Sequence, residues 1–217
     1  MALPEREPVN GWIHLGGALL AAAGLVVLLA QAQRQGSLRH LTAAVVFGGS
    51  AIMMFGASAL YHLRPRSLRA PLYRRLDHAA IYLFIAGTYT PLCLVVLWPM
   101  PVGRLLLVVV WTLAALGVFQ AVRAVRPRRG AATALYLGLG WVGVLTAPLI
   151  ASAVPWALAA WLLVGGVLYT IGACLYWRKW PRGRPGLLGF HECWHVCVLV
   201  ASASHFWAIH TYVLPLP

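Results

Sequence analysis

Acidic residues are nearly missing from this chain: Glu5, Glu7, Asp77 and Glu192 stand against seventeen Lys and Arg, giving a net charge of +13. Such an excess would point to nucleic acid if the charge were gathered into a stripe. Instead the basic residues fall in short stretches between long apolar runs, as topology determinants facing anionic lipid do, and no nucleic-acid partner is expected. Lysine is reduced to Lys179, and sixteen Arg in an Ala-, Leu- and Gly-rich chain is the bias of a GC-rich bacterial genome. Charged residues make up only 10% of the sequence and hydrophobic ones 61%, with a mean hydropathy of +0.79, which excludes an ordinary soluble domain. The four cysteines, Cys93, Cys174, Cys193 and Cys197, all lie in apolar segments and form no disulfide framework; they read as small fillers. No polar stretch is long enough for a soluble domain or low-complexity tail, and no internal repeat is apparent.

What is present is seven apolar segments long enough to cross a bilayer, at 11–32, 41–62, 77–98, 104–124, 132–151, 154–176 and 188–213. Short connections rich in Pro and Arg join them, so the expected fold is all-α: one seven-transmembrane helix bundle over 1–217. Residues 12–29 followed by Ala30-Gln31-Ala32 imitate a cleaved signal, but the apolar stretch is too long and the acidic Glu5 and Glu7 precede it, so this is read as a first span. Fourteen of the seventeen Lys and Arg fall on one side: Arg6, then the connections after the second, fourth and sixth spans. Arg34, Arg39 and Arg104 lie on the other side. The positive-inside rule then predicts a cytoplasmic N-terminus and an external C-terminus.

That topology brings the few ionisable intramembrane groups to one face. His62 ends the second span in SALYH, with Ser58 one turn deeper; Asp77 opens the third in RLDHA; His191 and His195 start the seventh in HECWH. At 1.5 Å per residue all five fall within roughly the inner 12 Å of the membrane. Ionisable groups inside a membrane are costly and call for a named partner. Residues four apart share a helix face, so His191 and His195 can turn to one ion, as can Ser58 and His62. Three imidazoles with a fourth position open is the pattern of catalytic zinc, and the expected cofactor is Zn2+. Asp77 is placed to act as general base on water and Ser58 to orient the substrate carbonyl or the water. Asn10 and His14, four apart in the first span, are candidate supports to the ligands. Cys193 and Cys197 lie about 200° around the helix from the two histidines and should face away. His40, His78 and His210 read as interfacial, and His205 as a buried, hydrogen-bonded histidine.

HECWH also fits the H-E-x-x-H of zinc peptidases, in which Glu192 would be the general base. An intramembrane metalloprotease is therefore an alternative. It commonly takes a third ligand from a later element, and here only earlier helices remain.

EREPVNGWIHLGGALLAAAGL, SALYHL, LDHAAIYLFIAGTYTP and FHECWHVCVLVASASHFWAI together resemble the hemolysin III family of bacteria, over nearly the whole chain. That family is related to the progestin and adipoQ receptors and more distantly to alkaline ceramidases. The resemblance implies a multi-pass protein of the bacterial inner membrane, with zinc on the inner side. It matches His62, His191 and His195 to the zinc ligands, Asp77 to the aspartate that contacts zinc through water, and Ser58 to the serine of S-x-x-x-H. It points to hydrolysis of an amide or ester bond in a membrane lipid, the expected partner. The alternatives it leaves are a pore-forming cytolysin, as the family name suggests, and a receptor-like protein with a structural zinc. Polar groups confined to one end offer no continuous polar path for a pore.

The charge asymmetry makes the topology testable. A reporter active only outside the cytoplasm should be active when fused at the C-terminus and silent when fused after Arg69. The reverse pattern would overturn the common depth of the five residues.

Overall fold

The computed structural model describes residues 8–64, 69–123, 129–150, 152–183 and 189–217, and these are helical apart from short connections. Arg6, Arg66, Arg126, Arg128 and Arg184 of the charge count lie outside them. Seven helices follow in order: α1 (Pro8–Arg34), α2 (Leu38–Leu63), α3 (Ala70–Pro91), α4 (Pro101–Arg123), α5 (Arg129–Trp141), α6 (Trp156–Arg178) and α7 (Phe190–Ala208). Pro8 and Pro101 open α1 and α4, where a missing N–H costs nothing and the fixed φ favours the first turn. Lys179 closes α6 in the left-handed region at φ 53°, where its N–H meets the last carbonyls.

Helices adjacent in sequence pack side by side, and α1 also meets α7, closing the ring; α3 touches α2, α4 and α5. One apolar core lies among α1, α2, α3, α6 and α7, around Phe47, Met54, Phe55, Phe84 and Leu158. A second, around Tyr82, Cys93, Leu106 and Val110, joins α3 to α4 and α5. Outside, the helices present Leu19, Leu20, Leu105, Val108 and Leu163, as a surface solvated by lipid tails requires. Exposed Trp12, Trp177 and Trp180 gather at one end of the bundle and Trp98 and Trp156 at the other, two belts at headgroup level. The chain is a multi-pass integral membrane protein.

Six helices are long and apolar enough to cross a membrane; the fifth, apolar over Gly130–Thr146, is shorter. The expected continuous span at 132–151 is broken because α5 tightens into a 3₁₀ stretch, Val142–Thr146, before a last turn at Ala147–Ile150. Tyr89 of α3 serves the backbone at this change of pitch. Its hydroxyl accepts from the Gly143 N–H at 3.0 Å and donates to the carbonyls of Leu139 and Gly140. Irregular backbone persists in a membrane only where such a neighbour satisfies it. The third span is also displaced: α3 begins at Ala70, so Asp77 lies two turns inside the helix instead of opening it.

Both α3 and α7 end in π-helical turns, Leu92–Val96 and Ile209–Val213. At the α7 end, Gln31 Nε2 donates to the His210 carbonyl at 3.0 Å, and His210 Nδ1 pairs with Gln31 Oε1 at 2.7 Å. His40, expected at the interface, is instead buried, its Nε2 paired with the Leu216 carbonyl at 2.9 Å. Residues 30–32 are an unbroken part of α1, and Gln31 bonds to His210 at the end of α7. The four cysteines are free thiols.

Tyr89→Phe removes the hydroxyl that serves the 3₁₀ stretch and strands a buried N–H, at a cost of about 1–3 kcal/mol. The thermal midpoint of the purified protein in detergent should fall, while metal content stays at the wild-type level. An unchanged midpoint would mean that the break in α5 is set by its own glycines.

Candidate metal centre

The centre is assembled from two helix ends at the same end of the bundle. His62 is the penultimate residue of α2, and His191 and His195 occupy the first two turns of α7. Their ligating nitrogens all lie within 4.8 Å of one another. The ring centroids form a near-equilateral triangle: 5.0 Å between His62 and His191, 4.9 Å between His62 and His195, and 4.8 Å between His191 and His195. Three imidazoles bound through nitrogen to one tetrahedral ion at ~2.0–2.1 Å have centroids about 5.2 Å apart. The three nitrogens could hold one metal ion, around which they would draw together to about 3.3 Å. His195 adds a second sign, since its Nδ1 is buried without a hydrogen-bond partner, a cost in an apolar interior that ligation through the other nitrogen and a supporting contact would offset.

Asp77 reaches this centre from α3. It is 8% exposed, lies 3.5 Å from His78 Nδ1, and is within electrostatic reach of His62 and His14. His78, expected to be interfacial, is instead half-buried beside the carboxylate, and its own carbonyl accepts from Tyr136 of α5 at 3.3 Å. Ser58 is buried on α2 one turn deeper than His62, on the same face. The structure thus groups His62, His191 and His195, with Asp77 within electrostatic reach of His62 and Ser58 buried one turn deeper on α2.

α1 completes the wall. Gly11 lies so close to α2 that a Cβ there would come within 2.5 Å of Leu63 and 3.2 Å of His62 Cβ. Gly17 packs likewise on the ring of Phe55, at 2.8 Å. These two close approaches let α1 carry His14 against Phe55, edge to face at 5.1 Å, and onto His195 at 3.9 Å. Asn10 is fully buried one turn before His14.

Glu192 does not join the cluster. Its Oε2 accepts the Gly189 backbone N–H at 2.9 Å, the reciprocal half of a capping box, and the side chain is 4% exposed. The same Glu that completes H-E-x-x-H thus bonds the backbone at the start of α7 and is not part of the three-histidine group. His205, as expected, is hydrogen-bonded within the bundle, its Nε2 at 3.2 Å from the Leu162 carbonyl. Beside it the Tyr169 hydroxyl meets Ser202 Oγ at 2.8 Å, a polar contact between α6 and α7 that the hydropathy pattern does not register.

Residues 3–206 match the family described as Haemolysin-III related. The chain belongs to this family. It is 34% identical over 212 residues to Hemolysin-3 of Bacillus cereus, covering 97% of this chain and 93% of the relative. It is 32% identical over 216 residues to the Hemolysin-3 homolog of Bacillus subtilis strain 168, covering 98% and 97%. A more distant likeness, 27% over 228 residues, is to the adiponectin receptor protein of Drosophila melanogaster, covering 94% of this chain and 50% of that one. These matches agree with a multi-pass protein of a bacterial membrane.

The centre predicts metal stoichiometry. Elemental analysis of detergent-purified protein should find about one metal ion per chain, lost in the His191→Ala/His195→Ala double variant and retained in Glu192→Gln. Full occupancy in the double variant would remove the site; loss in Glu192→Gln would return Glu192 to the metal.

Proposed function

We propose that this protein is a zinc-dependent hydrolase of the inner membrane leaflet that cleaves an amide or ester bond in a lipid, with a ceramide-like amide as the favoured substrate. The observation that supports this reading is the grouping of His62, His191 and His195, three residues that could hold one ion and would leave its fourth tetrahedral position to water or substrate. A closed structural site would need a fourth protein ligand, and the cluster that the described residues bring together has three members.

Zinc held by His62, His191 and His195 supplies a Lewis acid and makes water nucleophilic near pH ~7. The Asp77 carboxylate accepts the proton of the attacking water and returns it to the leaving amine or alcohol, so the products are a free fatty acid and the amino- or hydroxy-lipid. Ser58 donates its hydroxyl to the substrate carbonyl and fixes the scissile bond against the cluster. Apolar helix faces take the acyl chain, while the inner helix ends keep the headgroup at the cytoplasmic interface. In this orientation the N-terminus is cytoplasmic and the C-terminus external, following the charge asymmetry of the connections.

Asp77 and the histidines should separate in experiment, because one handles the proton and the others hold the ion. Asp77→Asn should keep most of the zinc while lipid hydrolysis falls ~10²–10⁴-fold. His62→Ala should lose zinc and hydrolysis together. The measurement is fatty-acid release, by mass spectrometry, from bilayers of amide and ester lipids incubated with each purified variant. A wild-type protein with full zinc that releases no fatty acid from any of them would end the hydrolase reading. Dye leakage from the same vesicles would then point to the cytolysin that the relatives' name describes.

A further inference from the structure

A groove of about 590 Å³ runs along the outside of α4 where it meets α3, lined by Trp111, Ala115, Val118, Phe119 and Val122 of α4 and Leu83 of α3. Phe119 and Val122 are exposed, so the groove opens on the surface that meets lipid tails. Its walls are held in place. Trp111 Nε1 donates to Thr90 Oγ1 of α3 at 3.2 Å, and Gly117 lets α4 lie against the ring of Tyr82. An apolar groove in a bilayer takes up whatever acyl chain lies beside it, so the apolar lining by itself selects nothing. The remaining lining residue does: Arg123, the last of α4, alone carries charge among the described residues of the groove.

Length and charge name the occupant. At 1.5 Å per residue, the stretch from Trp111 to Arg123 rises about 18 Å. Half of a ~30 Å hydrocarbon core is ~15 Å, so the groove spans one leaflet, the reach of one acyl chain. Arg123 stands at its interfacial end, the end of the bundle where α2 finishes and α3 starts. The guanidinium lies over the Phe119 ring, 4.6 Å from its centroid, which keeps the charge at the mouth of the groove. It has no carboxylate to meet there. The acids among the described residues are Asp77 and Glu192, 8% and 4% exposed, one beside His78 and the other on the Gly189 N–H. A zwitterionic headgroup would bring its ammonium to a mouth that offers no acid, whereas a net-anionic phosphodiester brings only the charge that Arg123 lacks.

We propose that the α3–α4 groove is a binding site for an anionic phospholipid, with the phosphate on the Arg123 guanidinium and one acyl chain lying along α4 from Val122 to Trp111. The site is separate from the three histidines and goes beyond the hydrolytic reading: the lipid is held here, not cleaved. Its leaflet is the one at the metal-centre end of the bundle.

The probes are phosphatidylglycerol and phosphatidylethanolamine with matched chains, titrated into delipidated full-length protein in detergent and read by native mass spectrometry. Wild type should hold one phosphatidylglycerol per chain about tenfold or more tightly than phosphatidylethanolamine. Arg123→Gln should weaken phosphatidylglycerol binding about 10- to 100-fold, the loss of a charge-assisted contact. Ala115→Phe, which fills the groove and leaves the charge, should weaken it too. Arg178→Gln, which removes an exposed cation at the end of α6, should not. No preference in wild type, or an equal loss in Arg178→Gln, would overturn the proposal in favour of lipid drawn by overall charge. Full binding in Arg123→Gln or in Ala115→Phe would overturn it as well, by taking the headgroup or the chain out of the groove. A second measurement needs no variant: phosphatidylglycerol with a photoreactive acyl chain should label wild-type α4 between Trp111 and Val122, and excess unlabelled phosphatidylglycerol should suppress that labelling. Labelling spread evenly over the outer helix faces would sink the site. The His191→Ala/His195→Ala variant should bind the lipid as wild type does, so this site and the hydrolytic reading fail separately. Loss of the lipid in that variant would place it at the three histidines instead.

Discussion

An imidazole in a hydrocarbon interior has few places to put its second nitrogen. Water solvates it at a protein surface, and a backbone carbonyl or carboxylate serves it in a soluble core, but helix backbone in a bilayer is already bonded to itself. Three histidines gathered within 5 Å under that constraint form a group that could hold one metal ion. The architecture around them follows from this. α2 ends at the cluster and α7 begins there, which antiparallel connectivity permits despite the long stretch of sequence between His62 and His191. α3 brings a carboxylate, the sign of charge that favours a cation. α1 closes the space from the fourth side.

The opposite end of the bundle is held by neutral contacts: Gln31 with His210, His40 with the Leu216 carbonyl, and Gln35 with the Pro215 carbonyl. These tie α1 and α2 to the end of α7. The same two helices that form the wall and one ligand of the metal centre are therefore anchored to α7 at both ends. A shift of α7 along its axis would disturb both sets of contacts at once, and this fixes the height at which His191 and His195 meet His62.

Much of this was legible from sequence because hydropathy and helical period are local properties. Seven apolar runs gave seven helices, and the i, i+4 spacing put His191 and His195 on one face. Where the reading fell short, the missing information was non-local. Asp77 reads as the start of its span because Tyr73, Arg74 and Arg75 read as a connection; the helix instead begins at Ala70 and continues through them. The break in α5 depends on a hydroxyl 54 residues away, at Tyr89. The contact between His14 and His195 depends on how far α1 can approach α2, which is set by glycines whose effect appears only against Phe55 and Leu63.

HECWH illustrates why a motif must be resolved by its place on the helix. The same five letters serve a peptidase when the Glu faces the metal-bound side of a helix interior, and something else when they open the helix. Here Glu192 falls in the first turn of α7, three residues after Gly189, where the backbone N–H groups lack intrahelical acceptors. A carboxylate in that position is drawn to those donors and to the positive end of the helix dipole, and it binds the Gly189 N–H. The two histidines, one residue before and three residues after Glu192, are left to the metal-capable group. Asp77, two turns inside α3 and within electrostatic reach of His62, is the carboxylate that the proposed hydrolysis uses.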